Sequence, residues 1–282
     1  MHSEARFNED LPRLAEEASE LAGRLCGSCQ NFHLLWPYHR LAKASGGDVG
    51  APLIHSVLGG LLSQRGRRIL IAGCADTGLL AVVARSTNSE PHITVLDRCE
   101  TPLELCRRFA LNWSLPIQTI HLDLTELATE SSFDVVFAHM LLQFIPATHH
   151  LDVLSRMRRA LRPDGRLVLA FRASPRIEAS LAPEYQRGYA TGLMEELEKR
   201  NIPLPESREA FRRRVELYFE ERRAREGANN TRAEVEQLIN AAGFAIENVV
   251  SIDADMSEPF RHFCAKIGLQ RFLAVAKPNL QA

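Results

Sequence analysis

The segment Ala72-Gly-Cys-Ala-Asp-Thr-Gly78 brings small residues to the point where a run of β-formers gives way to a helical pattern. Small side chains let a ligand approach the backbone closely, and the free N–H groups at a helix start attract a carboxylate or another anion. The next β-rich run, Ile93-Thr-Val-Leu-Asp97, ends on a single acid, placed so that its carboxylate can accept both hydroxyls of a ribose. A third run closes as Ile120-His-Leu-Asp123-Leu124. Asp123 there reads either as a partner for an adenine amino group or as a carboxylate capping the end of its own strand. His139 stands at the tip of a fourth run, where an imidazole titrating near neutral pH is able to take a proton from a bound molecule. A histidine bonded to nearby backbone is the structural alternative.

A second group of chemically capable side chains precedes these. Cys26, Cys29, His33 and His39 fall in one short stretch and are all metal-ligand types. The gap between the cysteine pair and the first histidine is far shorter than in a zinc finger, and the interleaved Phe32, Leu34, Leu35 and Trp36 read as packing residues, so no metal is assigned. The stretch is expected instead to cap a pocket, with Trp36, Tyr38, His39 and Arg40 lining the acceptor side of a mouth that closes on binding. Cys99 and Cys106 have no base beside them in sequence and read as small packing residues. His149 and His150 read as exposed residues opening a helix.

These groups need a scaffold, and the pattern supplies one. From Arg67 onward, short β-rich runs at 68–72, 92–96, 117–121, 133–138 and 166–171 alternate with helical segments at 79–85, 101–112 and 148–161, the last ended by Pro163. Such alternation is the signature of βαβ units and an open, doubly wound parallel sheet. Ahead of it, residues 7–25 carry leucines and alanines at helical spacing, and a Gly-rich break at 44–50 precedes a further helical pattern. A strongly charged helical block at 175–228 interrupts the alternation and reads chiefly as a solvated face, with a lid or a contact between two copies as alternatives. Thr231-Arg-Ala-Glu234 is a capping box that opens a helix ending at Gly243, and two strand-like runs, 245–252 and 270–276, follow.

Taken together, Ile69-Leu-Ile-Ala-Gly-Cys-Ala-Asp-Thr-Gly78, Val95-Leu-Asp97, His121-Leu-Asp123, Phe133-Asp-Val-Val-Phe-Ala138 and Leu161-Arg-Pro-Asp-Gly-Arg-Leu-Val-Leu169 resemble class I S-adenosylmethionine-dependent methyltransferases in order and spacing. The resemblance covers residues 67–172 and, more weakly, 231–277. It implies an α/β fold with a mostly parallel seven-stranded sheet; around that sheet the chain's own pattern adds an N-terminal helical cap over residues 1–65, ahead of a cofactor-binding domain over 66–282 with a helical insertion after the fifth strand. It further implies S-adenosylmethionine as cofactor and S-adenosylhomocysteine as product. Gly73, Cys74, Ala75, Asp76 and Gly78 would meet the methionine end of the cofactor, Asp97 and Arg98 the ribose, and Asp123 and Leu124 the adenine. His139 and Met140 would border the methyl group, with Gln143 on the acceptor side and His139 as the candidate base. The chain departs from the family in its first motif: Ile71 stands where an acid is usual, and Ala75 and Thr77 stand in for two glycines. A dehydrogenase shares the glycine turn and the distant acid, but its G-x-G-x-x-G fingerprint is absent.

The balance of 34 Lys+Arg against 35 Asp+Glu provides no overall positive field for nucleic acid, which favours a small-molecule acceptor. A protein or RNA acceptor, read on Arg212-Arg-Arg214, and a non-catalytic cofactor-binding scaffold are the competing functions. The acidic, polar start lacks the character of a presequence, so a cytoplasmic location without membrane association is expected, with a homodimer as the candidate assembly. Six cysteines without dense, even spacing read as reduced thiols.

Overall fold

Strands that are apolar at every position must be buried on both faces, and the runs Ile69–Ala72 and Val135–Ala138 demand the centre of a covered sheet. A computed structural model describes residues 4–42, 50–87, 89–173, 183–223, 230–253 and 268–279. Its strands are β1 (Arg68–Ala72), β2 (His92–Asp97), β3 (Ile117–His121), β4 (Phe133–His139), β5 (Leu161–Ala173), β6 (Phe244–Ser251) and β7 (Gln270–Pro278). They form one seven-stranded sheet in the order β3-β2-β1-β4-β5-β7-β6. β1 to β5 are parallel, and β7 lies antiparallel between β5 and β6. This is the class I methyltransferase fold. The winding reverses between β1 and β4, which opens a crevice at the carboxyl ends of these strands.

The strand period of two sorts the core into halves. Ile69, Ile71, Val135, Phe137, Val168 and Ala170 belong to one cluster, and Leu70, Ala72, Val136, Ala138, Leu167 and Leu169 to the other. The helices are α1 (Glu4–Leu25), α2 (Gln30–Ala42), α3 (Ala51–Leu61), α4 (Gly78–Ser86), α5 (Glu100–Trp113), α6 (His150–Ala160), α7 (Pro183–Lys199), α8 (Arg208–Arg223) and α9 (Arg232–Ala241). Residues of α6 and α9 complete the second cluster; those of the other helices complete the first. The Gly-rich break expected at 44–50 lies, apart from Gly50, outside the described residues.

Two expectations are corrected here. The charged block at 175–228, described over residues 183–223, turns many of its charges outward but buries Phe211, Val215, Tyr218 and Phe219 along one stripe of α8, so it packs into the core shared by α1, α2 and the sheet. The sequence reading weighed the charges and missed the i, i+4, i+7, i+8 apolar spacing between them. His150 is buried, at 1% exposure, while its neighbour His149 is exposed. Its Nε2 lies 2.9 and 2.8 Å from the carbonyl oxygens of Leu142 and Ile145, so the ring N–H donates to the turn that follows β4.

At the opposite end of the sheet, Asp134 ties three segments together. Its carboxylate accepts from the Arg68 N–H at 2.7 Å and from the Arg67 and Arg162 guanidinium groups at 2.9 Å each. Despite its burial, these donors hold its carboxyl below the usual carboxylate range. Replacing it by asparagine is expected to cost about 2 kcal/mol of stability at neutral pH, the scale of a charged hydrogen bond. A depressed carboxylate stabilises the fold above its unfolded pKa, near 3.9, and that contribution is lost as pH falls through the lower folded value. The stability difference between the two proteins, read from urea titrations, should therefore hold steady from pH 7 to about 5 and shrink toward zero in stronger acid.

Candidate active site

The carboxyl ends of β1 to β4 surround a cavity of about 360 Å³, which α2 and α8 close from the other side. At its centre the chain leaves β1 through Gly73, whose φ of 78° belongs to the left-handed region and whose N–H donates to the Leu96 carbonyl at 2.8 Å. A Cβ at Gly73 would meet Leu141 Cδ1 at 2.7 Å, so the position requires glycine for both its backbone and its space. The loop then bends toward Asp97. The carboxylate of Asp97 accepts from the backbone N–H of Cys74 at 2.8 Å and of Cys99 at 2.7 Å, which fixes it across the rim between β1 and β2. Burial pushes Asp97 above the ordinary carboxylate range against the pull of those two N–H groups and of the His33 ring.

Gly73, Cys74, Ala75, Asp76, Asp97, Arg98, Asp123, Leu124, His139 and Met140, all read from the sequence as cofactor contacts, line this one cavity. Asp123 Oδ1 accepts from the backbone N–H of Thr125 at 2.9 Å and from its hydroxyl at 2.8 Å, so the residue caps the single turn Leu124–Glu126 while it faces the cavity. Met140, directly after His139, has φ 53°, an uncommon conformation for a residue with a side chain, and its N–H donates to the Ala170 carbonyl at 2.7 Å. That kink turns the chain after β4 across the cavity mouth, carrying Gln143 and Phe144 into the wall.

Gly78 lies apart from the cavity lining, and its role is different. Arg40 of α2 reaches across to Asp76, with Nε 2.9 Å from Oδ2 and Nη2 3.0 Å from Oδ1, and the two side chains are 3% and 7% exposed. A Cβ on Gly78 would stand 1.9 Å from Arg40 Nη2, so glycine makes room for the guanidinium over the start of α4. Gly78 N–H also donates to Asp76 Oδ1 at 2.8 Å. The guanidinium expected on the acceptor side is thus engaged with the loop acid.

Among the other residues expected on the acceptor side, Trp36 and Gln143 line the cavity. Tyr38 does not: it is buried against Phe211, and burial with nearby Glu16 and Glu206 pushes its hydroxyl up to about 12. His39 does not either, because its ring is buried and contacts the Tyr189 hydroxyl of α7. A helix that presents Phe32, His33, Trp36 and Arg40 to the cavity sends the intervening Tyr38 and His39 into the cap.

Phe32, expected as a packing residue, lines the cavity too, with Phe144, Tyr218 and Glu221, which no sequence signal singled out. Phe32 stacks on Trp36 with centroids 5.4 Å apart and on Tyr218 at 6.1 Å, and Phe144 meets it edge-on at 5.4 Å. Glu221, also on α8, lines the cavity; its Oε1 accepts from the Asn31 side chain at 2.6 Å. Among the described residues, Glu221 Oε2 and Gln143 Oε1 are buried with no hydrogen-bond partner. Buried acceptors in that condition are costly unless a ligand satisfies them.

Beside Asp97 the structure gathers Cys26, Cys29, His33 and Cys99, their ligand-type atoms all within 4.8 Å of one another. Contacts with Cys29 and Cys99 and burial push the Cys26 thiol up, while contacts with Cys26, Cys99 and the His33 ring pull Cys29 down. Burial alone would lower His33, but the sulfurs of Cys29 and Cys99 raise it to about 10. Cys106, by contrast, is fully buried core, as expected.

A family model described as a methyltransferase domain matches residues 69–165, the span from β1 into β5. Among curated proteins, the chain is similar to the carboxy-S-adenosyl-L-methionine synthase of Dichelobacter nodosus, with 28% identity over 128 residues, 44% of this chain and 54% of that protein. The chain spans about half the length of the curated relatives it matches. Among solved structures, the geranyl diphosphate C-methyltransferase of Streptomyces coelicolor A3(2), in complex with Mg2+, geranyl diphosphate and S-adenosyl-L-homocysteine, superposes with a TM-score of 0.55 at 13% identity, covering 85% of this chain and 83% of that one. The [4+2]-cyclase SpnF superposes at 0.57 with 13% identity, covering 88% and 94%.

Proposed function

Because the chain carries a class I S-adenosylmethionine-dependent methyltransferase domain, we propose that it moves a methyl group to an oxygen, nitrogen or carbon atom of a small metabolite held between the strand rim, α2 and α8. The observation that carries this reading is one cavity with two kinds of wall. On the strand side stands the Asp97 carboxylate, oriented by two backbone N–H groups; opposite it stand the aromatic rings of α2 and α8 with Glu221 Oε2, joined by Gln143 Oε1 from the turn after β4.

The residues present fit the cofactor. Asp97 would take the ribose hydroxyls, the loop from Gly73 to Asp76 the methionine end, and Leu124 the adenine face, with Asp123 beside it. When bound, S-adenosylmethionine supplies an electrophilic methyl group on a sulfonium. Transfer is an in-line displacement, so the chain's contribution is alignment and exclusion of water. Phe32, Trp36, Phe144 and Tyr218 provide the dry wall, and Gln143 and Glu221 would accept hydrogen bonds from hydroxyl or amine groups of the acceptor. His139 at the end of β4 would take a proton where the acceptor atom arrives protonated. Phe32 and Trp36 come from the N-terminal region 1–65 and Tyr218 and Glu221 from the insertion, while Gln143 and Phe144 follow β4; this supports reading the first two segments as acceptor-binding additions to the domain of 66–282.

A protein or RNA acceptor is less well supported. In the basic run that suggested it, Arg213 pairs with Glu216 and Glu220, and Arg214 with Glu206, so much of its charge is neutralised within the insertion. No helix of the described residues is long and apolar enough to cross a membrane.

Incubating the purified chain with S-adenosylmethionine and a panel of hydroxylated and aminated metabolites, with products read by mass spectrometry, tests the reading. S-adenosylhomocysteine together with a methylated acceptor supports it. A cofactor modified in place, the kind of product that the name of the curated relatives states for them, would replace it. With an acceptor in hand, Glu221→Gln should raise the acceptor KM about tenfold or more, as expected for losing a hydrogen bond to a charged group, while leaving S-adenosylhomocysteine affinity unchanged.

A further inference from the structure

We propose that Cys26, Cys29, His33 and Cys99 form a structural zinc site that fastens the N-terminal helices to the end of β2. The four side chains are a Cys3His set, a common ligand combination of closed, tetrahedral zinc centres. With Zn–S near 2.3 Å, a tetrahedron places its sulfurs about 3.8 Å apart. The Cys26 and Cys99 sulfurs are separated by 3.6 Å, and those of Cys29 and Cys99 by 3.5 Å. These separations exceed a disulfide bond of about 2.05 Å, and all three cysteines are free thiols.

The surroundings are those of a metal ligand set. His33 Nδ1 lies 3.0 Å from the Ala75 carbonyl, which fixes the tautomer with the proton on Nδ1 and leaves Nε2 for the cation. The Cys99 N–H donates to Asp97 at 2.7 Å, and the Thr101 hydroxyl lies 3.0 Å from the Cys26 sulfur. His33 and Cys99 are buried, at 4% and 7% exposure, and Cys26 and Cys29 are half-buried, Cys29 at the edge of the cavity. Soft thiolates with one imidazole select zinc over the oxygen-loving cations. Four protein ligands leave no open position, so the ion would stabilise rather than catalyse. On binding, each protonated thiol gives up its proton and the His33 imidazolium gives up the one on Nε2 to solvent, and three thiolates with a neutral imidazole around a dication carry one net negative charge.

Sequence spacing alone argued against a metal because it searched one stretch for all the ligands. The fourth ligand is Cys99, 73 positions after Cys26 and directly after β2, not His39, which turns into the cap. The proposal is independent of methyl transfer.

The full chain, purified under reducing conditions without chelator, should carry close to one zinc per molecule by mass spectrometry of the metal. Replacing the ion by cobalt should give the strong thiolate-to-cobalt absorption of a tetrahedral site. Cys29→Ser and Cys99→Ser should each lower zinc content at least tenfold, whereas His39→Gln should retain it. If the serine variants do not fold, His33→Cys, which preserves four ligands, should still bind cobalt with a stronger thiolate band. Wild-type protein that neither retains zinc nor gives the cobalt spectrum would overturn the proposal. So would thiol titration showing two of these cysteines joined in a disulfide, or a Cys99→Ser protein with undiminished zinc.

Discussion

Arg40→Ala is expected to lower the folding free energy by about 3–5 kcal/mol, the range for removing one partner of a buried ion pair. Arg40 and Asp76 are almost wholly removed from water and meet through two parallel contacts. Without the guanidinium, the Asp76 carboxylate would stay buried with the Gly78 N–H as its remaining close donor from that set. The penalty is that of an uncompensated charge, so it should be relieved when the charge is removed too. Arg40→Met combined with Asp76→Asn should recover most of the loss, because a buried pair is often worth little more than a packed apolar replacement. Gly78→Ala should destabilise by the same route, since its methyl group would occupy the position of Arg40 Nη2. Urea titration of the variants decides the matter: an Arg40→Ala protein within about 1 kcal/mol of wild type, the range of an exposed pair, would show that the pair is not the buried clamp described.

The second large effect concerns the cofactor. Asp97→Ala should weaken S-adenosylhomocysteine binding about 100-fold, since hydrogen bonds to a charged group are worth about 1.5–3 kcal/mol each and a tenfold change is about 1.4 kcal/mol. The same substitution removes the acceptor for the Cys74 and Cys99 N–H groups, which loosens the loop around the cofactor. Acidity should act through the same carboxylate. Burial raises Asp97 in the free protein, whereas donated ribose hydroxyls favour its charged form, so binding must expel the proton below that raised pKa. Wild-type affinity should therefore fall as pH drops through that value, by at most about tenfold per pH unit, while the alanine variant stays nearly flat. Calorimetric titrations over a pH series give both readings, and an alanine variant within about threefold of wild type would remove Asp97 from the cofactor site.

The strand-side wall of the cavity was legible because each contributing residue sits at the end of its own short run. β1 and β3 have the expected bounds, β2 and β4 extend one residue further, and ten of the eleven expected cofactor positions line the cavity. Such residues are placed by local rules, namely strand period and the turn that follows. Gly78 was the exception, since nothing near it in sequence announces the guanidinium it accommodates. The helix-side wall was far less legible. Tyr218 and Glu221 reach the cavity only because α8 lies against α2, a tertiary contact with no local sign. For the same reason, proximity along the chain suggested Tyr38 and His39, whose helical phase points them elsewhere.

This separation has a consequence for how the protein could acquire new chemistry. The groups that would grip the nucleoside belong to the rim of the sheet, and most of the side chains opposite them, Phe32, Trp36, Tyr218 and Glu221, belong to two helices at distant points of the chain. Drift at Phe32, Trp36, Tyr218 or Glu221 can reshape what the enzyme accepts without disturbing what it consumes. A library randomised at these four positions should yield altered preferences while nucleoside affinity is inherited intact.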